Sequence, residues 1–191
     1  MCHNSLPPSL RKLSISYISN FLGHGDIALD CTLGNGHDAE LLSDLVGEAG
    51  QVHGFDIQEQ ALANSRALLQ GRNNVFLYLA GHEKLDQCLP KELLGRVKAA
   101  MFNLGYLPGS SKQVVTNPQT TMAALLLLEE WLAKGGGISL HIYTGHPGGA
   151  AEADVILNWA SSLPWSKWQV ASYQLLNKQM NREILLLLGK K

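Results

Sequence analysis

Short, nearly continuous apolar runs alternate along this chain with stretches in which apolar positions recur at helical spacing, and glycines mark many of the changes. Ile27 to Cys31, Gln51 to Asp56, Val75 to Leu79, Val97 to Phe102 and Gly137 to Tyr143 predict five strands. Between them the spacing predicts helices over Asp38 to Val46, Glu59 to Leu69 and Thr120 to Ala133, with another over Gly148 to Ser161 and only a short connection around Pro90 to Leu94. Strands separated by helices imply a parallel sheet. Trp168 to Leu176 and Glu183 to Leu188 are strand-like too, but Asn177 to Arg182 leaves no room for a crossover helix, so this pair must be antiparallel. The expected fold is α/β, with a mostly parallel seven-stranded sheet, an antiparallel C-terminal hairpin and helices on both faces. After an irregular start at Pro7 and Pro8, Leu10, Leu13, Tyr17, Ile18 and Phe21 predict a helix whose apolar side covers a sheet edge or a pocket mouth. The expected organisation is thus an N-terminal helical extension over 1–24 and a single domain over 25–191.

Composition narrows the class. A chain of 191 residues that is 46% hydrophobic can fill one core, and a formal charge of -1 provides no global field for a polyanion. RNA would have to be held through a local patch. Cys2, Cys31 and Cys88 form neither a disulfide framework nor a metal knuckle, which favours a reducing, cytoplasmic setting. No metal-ligand spacing is visible, and the apolar run Ala123 to Leu128 is too short to span a bilayer. The first 25 residues, with Arg11, Lys12, several serines and no acid before the end, leave an organelle-targeting remnant open.

The chemistry concentrates where the strands end. Asp30-Cys-Thr-Leu-Gly34-Asn35-Gly36-His-Asp38 joins the first strand to a helix, bringing backbone N–H groups and the positive helix end to one point. Gly34 and Gly36 let a ligand approach closely, Asn35 and Asp38 flank it, and Asp30 is expected to attract a cationic amino and sulfonium group. A pyrophosphate would be poorly served by that acid. Asp56 ends the second strand, where a carboxylate can accept both ribose hydroxyls; a capping-box role with Glu59 is the plainer alternative. Gln58 would border an adenine ring, and His82 and Glu83 follow the third strand within reach of its amino group. S-adenosylmethionine is the cofactor these features favour. A nicotinamide oxidoreductase is the remote alternative, opposed by Asp30 and by Ala39 where a third glycine is usual.

Asn103-Leu104-Gly105-Tyr106 follows the fourth strand, facing the methyl group in this topology. A nucleophilic nitrogen needs acceptors for its hydrogens, and the Asn103 side-chain oxygen and the Leu104 carbonyl could supply them. Tyr106 offers a flat face for a base or cation. An alkylamine titrates near about 10.4, so it must shed a proton, and no dedicated base is obvious. Asn103 and Tyr106 are therefore the expected catalytic residues, and Leu104, Gly105, Lys112, Tyr143 and His146 the expected substrate contacts. His141 and His146 are more simply a strand and a loop histidine, and Trp159, Trp165 and Trp168 more simply packing residues.

Gly34-Asn-Gly36-His-Asp38, Asp56-Ile-Gln58, Gly81-His-Glu83, Phe102-Asn-Leu-Gly-Tyr-Leu-Pro-Gly109 and Tyr143-Thr-Gly-His146 together resemble the small rRNA methylase family, whose characterised members are tRNA wobble-uridine methyltransferases. The resemblance runs from about Gly25 to the C-terminus. It implies a Rossmann-like class I methyltransferase fold and methylation of the exocyclic amine of 5-aminomethyl-2-thiouridine at the wobble position, with a tRNA anticodon stem-loop as partner. Ribosomal RNA, or a small-molecule or protein amine, is the alternative substrate. A homodimer is compatible with the resemblance. Two departures stand out: the family usually has proline where this chain has Thr144, and Asn-Pro-Pro where it has Asn181-Arg182-Glu183.

Overall fold

A computed structural model describes residues 7–105, 115–177 and 182–191. Its seven-stranded sheet has the order β3-β2-β1-β4-β5-β7-β6. The strands are β1 (Ile27–Asp30), β2 (Gln51–Asp56), β3 (Val75–Leu79), β4 (Val97–Leu104), β5 (Leu132–Tyr143), β6 (Trp168–Tyr173) and β7 (Glu183–Lys190). The first five pair in parallel, while β7 runs antiparallel to both β5 and β6. This is the Rossmann-like class I methyltransferase arrangement. Strand β1 is buried at every position, as a central parallel strand covered on both sides must be.

The helices are α1 (Leu10–Ser19), α2 (His37–Val46), α3 (Glu59–Leu68), α4 (Leu85–Cys88), α5 (Pro118–Trp131) and α6 (Gly149–Ser162). Successive residues of β1 serve opposite faces: Leu29 joins the cluster containing Leu125, Leu128 and Ile156, whereas Ala28 joins Ile18, Leu42 and Leu62. Helices α5 and α6 therefore cover one face and α1 to α3 the other. Helix α1 lies across β5 and β7, inside the sheet rather than at its edge. Leu10 packs with Leu185 and Leu187, and the hydroxyls of Ser14 and Ser139 meet at 2.5 Å. Full burial of Ile18 alone stabilises this docking by about 1.5–3 kcal/mol.

Several element limits differ from the periodic reading, most of all in α5, β5 and the connection from β3 to β4. Helix α5 starts at Pro118 because Asn117 caps it, its side chain accepting from the Thr120 N–H at 3.0 Å, with proline in the first turn. Strand β5 starts at Leu132, which pairs with Val97 before the register shifts; Gly135, with a φ of 72°, accommodates the irregular stretch that follows. The connection between β3 and β4 holds short helical turns at His82–Lys84 and Lys91–Leu93 besides α4.

Candidate active site

The carboxyl ends of β1, β2, β4 and β5 open onto a cavity of about 1030 Å³, enough for a nucleoside-sized ligand and a second reacting group. Parallel strands place such a crevice where connections depart to opposite faces of the sheet. Gly34, Asn35, Asp38, Asp56, Gln58, His82, Glu83, Asn103, Gly105, Tyr143 and His146 all line it, as do Arg11 and Thr32. Tyr106 and Lys112 lie outside the described residues.

One wall is built by Asp56. Its Oδ2 accepts from the Gly34 N–H and its Oδ1 from the Gln58 N–H, both at 2.9 Å, so one carboxylate ties the turn after β1 to the turn after β2. Burial raises its pKa from the ordinary aspartate value, and the backbone N–H groups that donate to it oppose the rise. The capping-box alternative does not hold: the α3 cap is Gln58, without a side-chain cap bond. Each oxygen of Asp56 retains a second acceptor direction for a ligand hydroxyl.

Gly36 contributes from behind the cavity surface. It caps α2 with a φ of 87°, and a Cβ there would lie 2.8 Å from Ser65 Oγ. That hydroxyl donates to the Gly34 carbonyl at 3.0 Å, so the small residue lets α3 brace the turn. Leu104 is likewise off the surface; its side chain belongs to the main core and its backbone pairs with Ile142.

Asp30 lies behind the cavity wall and reaches it only through backbone amides. It is 0% exposed, accepts from the Thr32 N–H at 3.2 Å and does not line the cavity. Burial first, and then the neighbouring Asp38, push its pKa up to about 8, so at neutral pH it is mostly protonated. A buried acid with so little compensation prefers its neutral form. Of these two neighbouring acids, Asp38 is the one that lines the cavity.

Asp38 stands in the first turn of α2, near the positive helix end. Its Oδ1 lies 2.7 Å from Arg11 Nη2 and its Oδ2 accepts from Asn103 Nδ2–H at 2.6 Å. The Asn103 backbone N–H donates to Thr32 Oγ1 at 2.6 Å. A carboxylate only accepts, so this contact decides which way the Asn103 amide faces: Nδ2 toward Asp38, Oδ1 free of any described partner.

His82 is 8% exposed and sits edge-on to Phe102. Its Nδ1–H donates to the Cys31 carbonyl at 2.8 Å, and burial lowers its pKa, so the ring is neutral and Nε2 carries a lone pair. That atom is buried and has no hydrogen-bond partner among the described residues, leaving an acceptor for a ligand N–H or O–H.

The opposite wall comes from β5 and β7. His141 is buried, with Nε2 at 3.3 Å from Glu183 Oε2 and Nδ1 at 3.4 Å from the Tyr143 hydroxyl. Burial lowers its pKa more than Glu183 raises it, so the neutral ring donates Nε2–H to the carboxylate and accepts from Tyr143. Tyr143 and Glu183 reach the cavity; His141 supports them from below.

Several site residues are absent from the sequence reading. Arg11 appears there only as a positive charge near the N-terminus, and Thr32 only as turn filler. Glu152 is 1% exposed, accepting from Thr121 Oγ1–H at 2.7 Å and from Thr116 Oγ1–H at 2.8 Å. The Thr116 N–H donates in turn to the Gly105 carbonyl at 2.9 Å, closing the base of the segment that leaves β4. Polar residues on otherwise apolar helix faces, Thr121 on α5 and Glu152 on α6, are the signal that could have found this pair. Among the described residues no group of His, Cys, Asp and Glu is arranged to hold a metal ion, and no helix is long and apolar enough to cross a membrane.

Residues 52–189 match the family model described as "Putative rRNA methylase". The chain is 38% identical over 167 residues to the chloroplastic tRNA (mnm5s2U34)-methyltransferase of Arabidopsis thaliana, covering 82% of this chain and 60% of that protein. The chain thus spans about three fifths of the plant relative's length. A structure from Clostridium thermocellum, of the same description as the family, superposes with a TM-score of 0.91 at 36% identity over 97% of this chain and 100% of that one. SMU.1697c of Streptococcus mutans, solved in complex with SAH, gives 0.87 at 36% identity with the same coverage.

Proposed function

The chain belongs to the rRNA methylase family, and from that premise we propose that it methylates RNA with S-adenosylmethionine, converting 5-aminomethyl-2-thiouridine at the tRNA wobble position to 5-methylaminomethyl-2-thiouridine. The observation that carries this reading is the oriented amide of Asn103, a hydrogen-bond acceptor turned away from Asp38 on the surface of a cofactor-sized cavity. Such an acceptor suits an amine nucleophile and does nothing for a hydride.

The residues present fit the cofactor. Asp56 offers acceptors for two ribose hydroxyls, the buried Nε2 of His82 offers one more, and the Asp38 carboxylate suits a cationic sulfonium better than any phosphate. The S. mutans relative, holding the demethylated product of the same cofactor, supports this assignment. The plant relative's substrate supports the choice of wobble uridine.

When bound, the cofactor supplies a methyl group that an amine lone pair displaces from sulfur in line, the N–C bond forming as the C–S bond breaks. Asn103 Oδ1 accepts one N–H of the neutral amine and so aims its lone pair. Thr32 fixes the Asn103 backbone, and Gly105 leaves room beside it, with Tyr143 and His146 the nearest side chains. The amine arrives protonated, and its proton passes to water at the cavity mouth before attack.

Incubation with isotopically labelled S-adenosylmethionine and either tRNA bearing the unmethylated amine or ribosomal RNA, followed by nucleoside mass spectrometry, tests the reading. Label is expected in 5-methylaminomethyl-2-thiouridine. Label confined to a ribosomal nucleoside, or none, would reject it.

A further inference from the structure

We infer that Arg11, on the N-terminal helix, is a positioning residue for methyl transfer: it holds Asp38 so that Asp38 in turn fixes the acceptor orientation of Asn103. The inference rests on the amine-methylating role proposed for Asn103, but the linkage itself is a property of this chain's own side chains.

Three contacts make the relay. Arg11 Nη2 lies 2.7 Å from Asp38 Oδ1; Asp38 Oδ2 accepts from Asn103 Nδ2–H at 2.6 Å; and Thr32 Oγ1 accepts from the Asn103 N–H at 2.6 Å. The backbone bond to Thr32 cannot choose between the two faces of the side-chain amide, because rotating the amide leaves it intact. Only Asp38 makes that choice. With the amide reversed, an NH2 group would meet the substrate amine, donor against donor, and the lone pair would lose its guide.

Asp38 needs Arg11 to do this. Its side chain is only 6% exposed, so water does little to hold it in place. A buried carboxylate must be paired to stay charged and in place. The positive end of α2 supplies part of the compensation, and Arg11 is the only full counter-charge within ion-pair distance of it among the described residues. Arg11 is itself held by the docking of α1, whose Leu10, Ser14 and Ile18 are buried against the sheet. The helix is thereby part of the site.

The test compares wild type with Arg11→Gln and Arg11→Lys in three measurements: the 15N-resolved resonances of the Asn103 side-chain amide, the dissociation constant of S-adenosylmethionine, and kcat and KM on an anticodon stem-loop carrying the aminomethyl group. Far-UV circular dichroism checks folding. Arg11→Gln is expected to shift the Asn103 amide resonances and lower kcat roughly tenfold or more, with cofactor affinity within about twofold of wild type. Arg11→Lys, which keeps the charge, is expected to recover part of kcat. Unchanged Asn103 resonances with unchanged kcat would overturn the inference. So would a loss confined to RNA KM and relieved at low salt, which would make Arg11 a phosphate contact. Should Arg11→Gln fail to fold, the Asn103 resonances of Arg11→Lys decide alone: a shift supports the relay and its absence overturns it. If wild type methylates no RNA, the proposed function fails, while the resonances still report on the relay.

Discussion

The Thr144 N–H donates to the Arg182 carbonyl at 2.8 Å, joining the two positions at which this chain departs from the pattern of the family it resembles. Proline at 144 has no N–H to give. The bond continues the β5–β7 ladder one step past Tyr143 and Glu183. Just beyond it the Arg182 side chain lies over Gly145, where a Cβ would come within 2.6 Å of Arg182 Cδ. One departure is thus the hydrogen-bond partner of the other, and together they shape the lip of the cavity.

Thr144→Pro should remove that bond and cost about 1 kcal/mol, lowering Tm by about 2–4 °C. Differential scanning calorimetry would detect it. Cofactor affinity should not change, because neither residue approaches the Asp56 wall; a Tm equal to wild type would mean the ladder gains nothing from this step.

Asp56→Ala removes the acceptor for both the Gly34 and Gln58 amides and the proposed ribose contact. The dissociation constant of S-adenosylmethionine, measured by isothermal titration calorimetry, should rise at least severalfold. An unchanged constant would remove Asp56 from the ribose site.

Gly36→Ala should act on both stability and binding. The backbone has a φ of 87°, and the new Cβ would displace the Ser65 hydroxyl that holds the Gly34 carbonyl. A loss of about 1–3 kcal/mol in urea unfolding is expected, with weaker cofactor binding alongside. The strand ends and the glycine turn were legible in the sequence because they are local: β2 and β3 end where the apolar runs end, and a turn feeding a helix from Asp30 to Asp38 carries its own signature. The Arg11–Asp38–Asn103 relay was not, since contacts among a helix, a turn and a strand distant in sequence leave no periodic trace. The burial of Asp30 was hidden for a related reason. Its place at a strand tip was legible, but whether it faces the cavity or the space beneath α2 depends on the strand's parity against helices packed from elsewhere.

Protonation of Asp30 links stability to pH. Its pKa in the folded protein is about 8, against about 3.9 in an unfolded chain, so between those values the folded state holds a proton that the unfolded state has lost. Stability from this group is complete at acid pH and falls as pH rises toward 8. Thermal melts from pH 5 to 8.5 should show Tm declining with pH, and Asp30→Asn should flatten that decline. An equal slope in both proteins would show that Asp30 is charged in the fold.

Asn103→Ala tests the central claim most directly, through single-turnover methylation of an aminomethyl-bearing anticodon stem-loop at saturating S-adenosylmethionine. The chemical step should slow by about 100-fold or more while the cofactor dissociation constant stays within about twofold, because the side chain guides the amine and not the methyl donor. A variant that turns over at the wild-type rate, or loses rate and cofactor binding in equal measure, would contradict it.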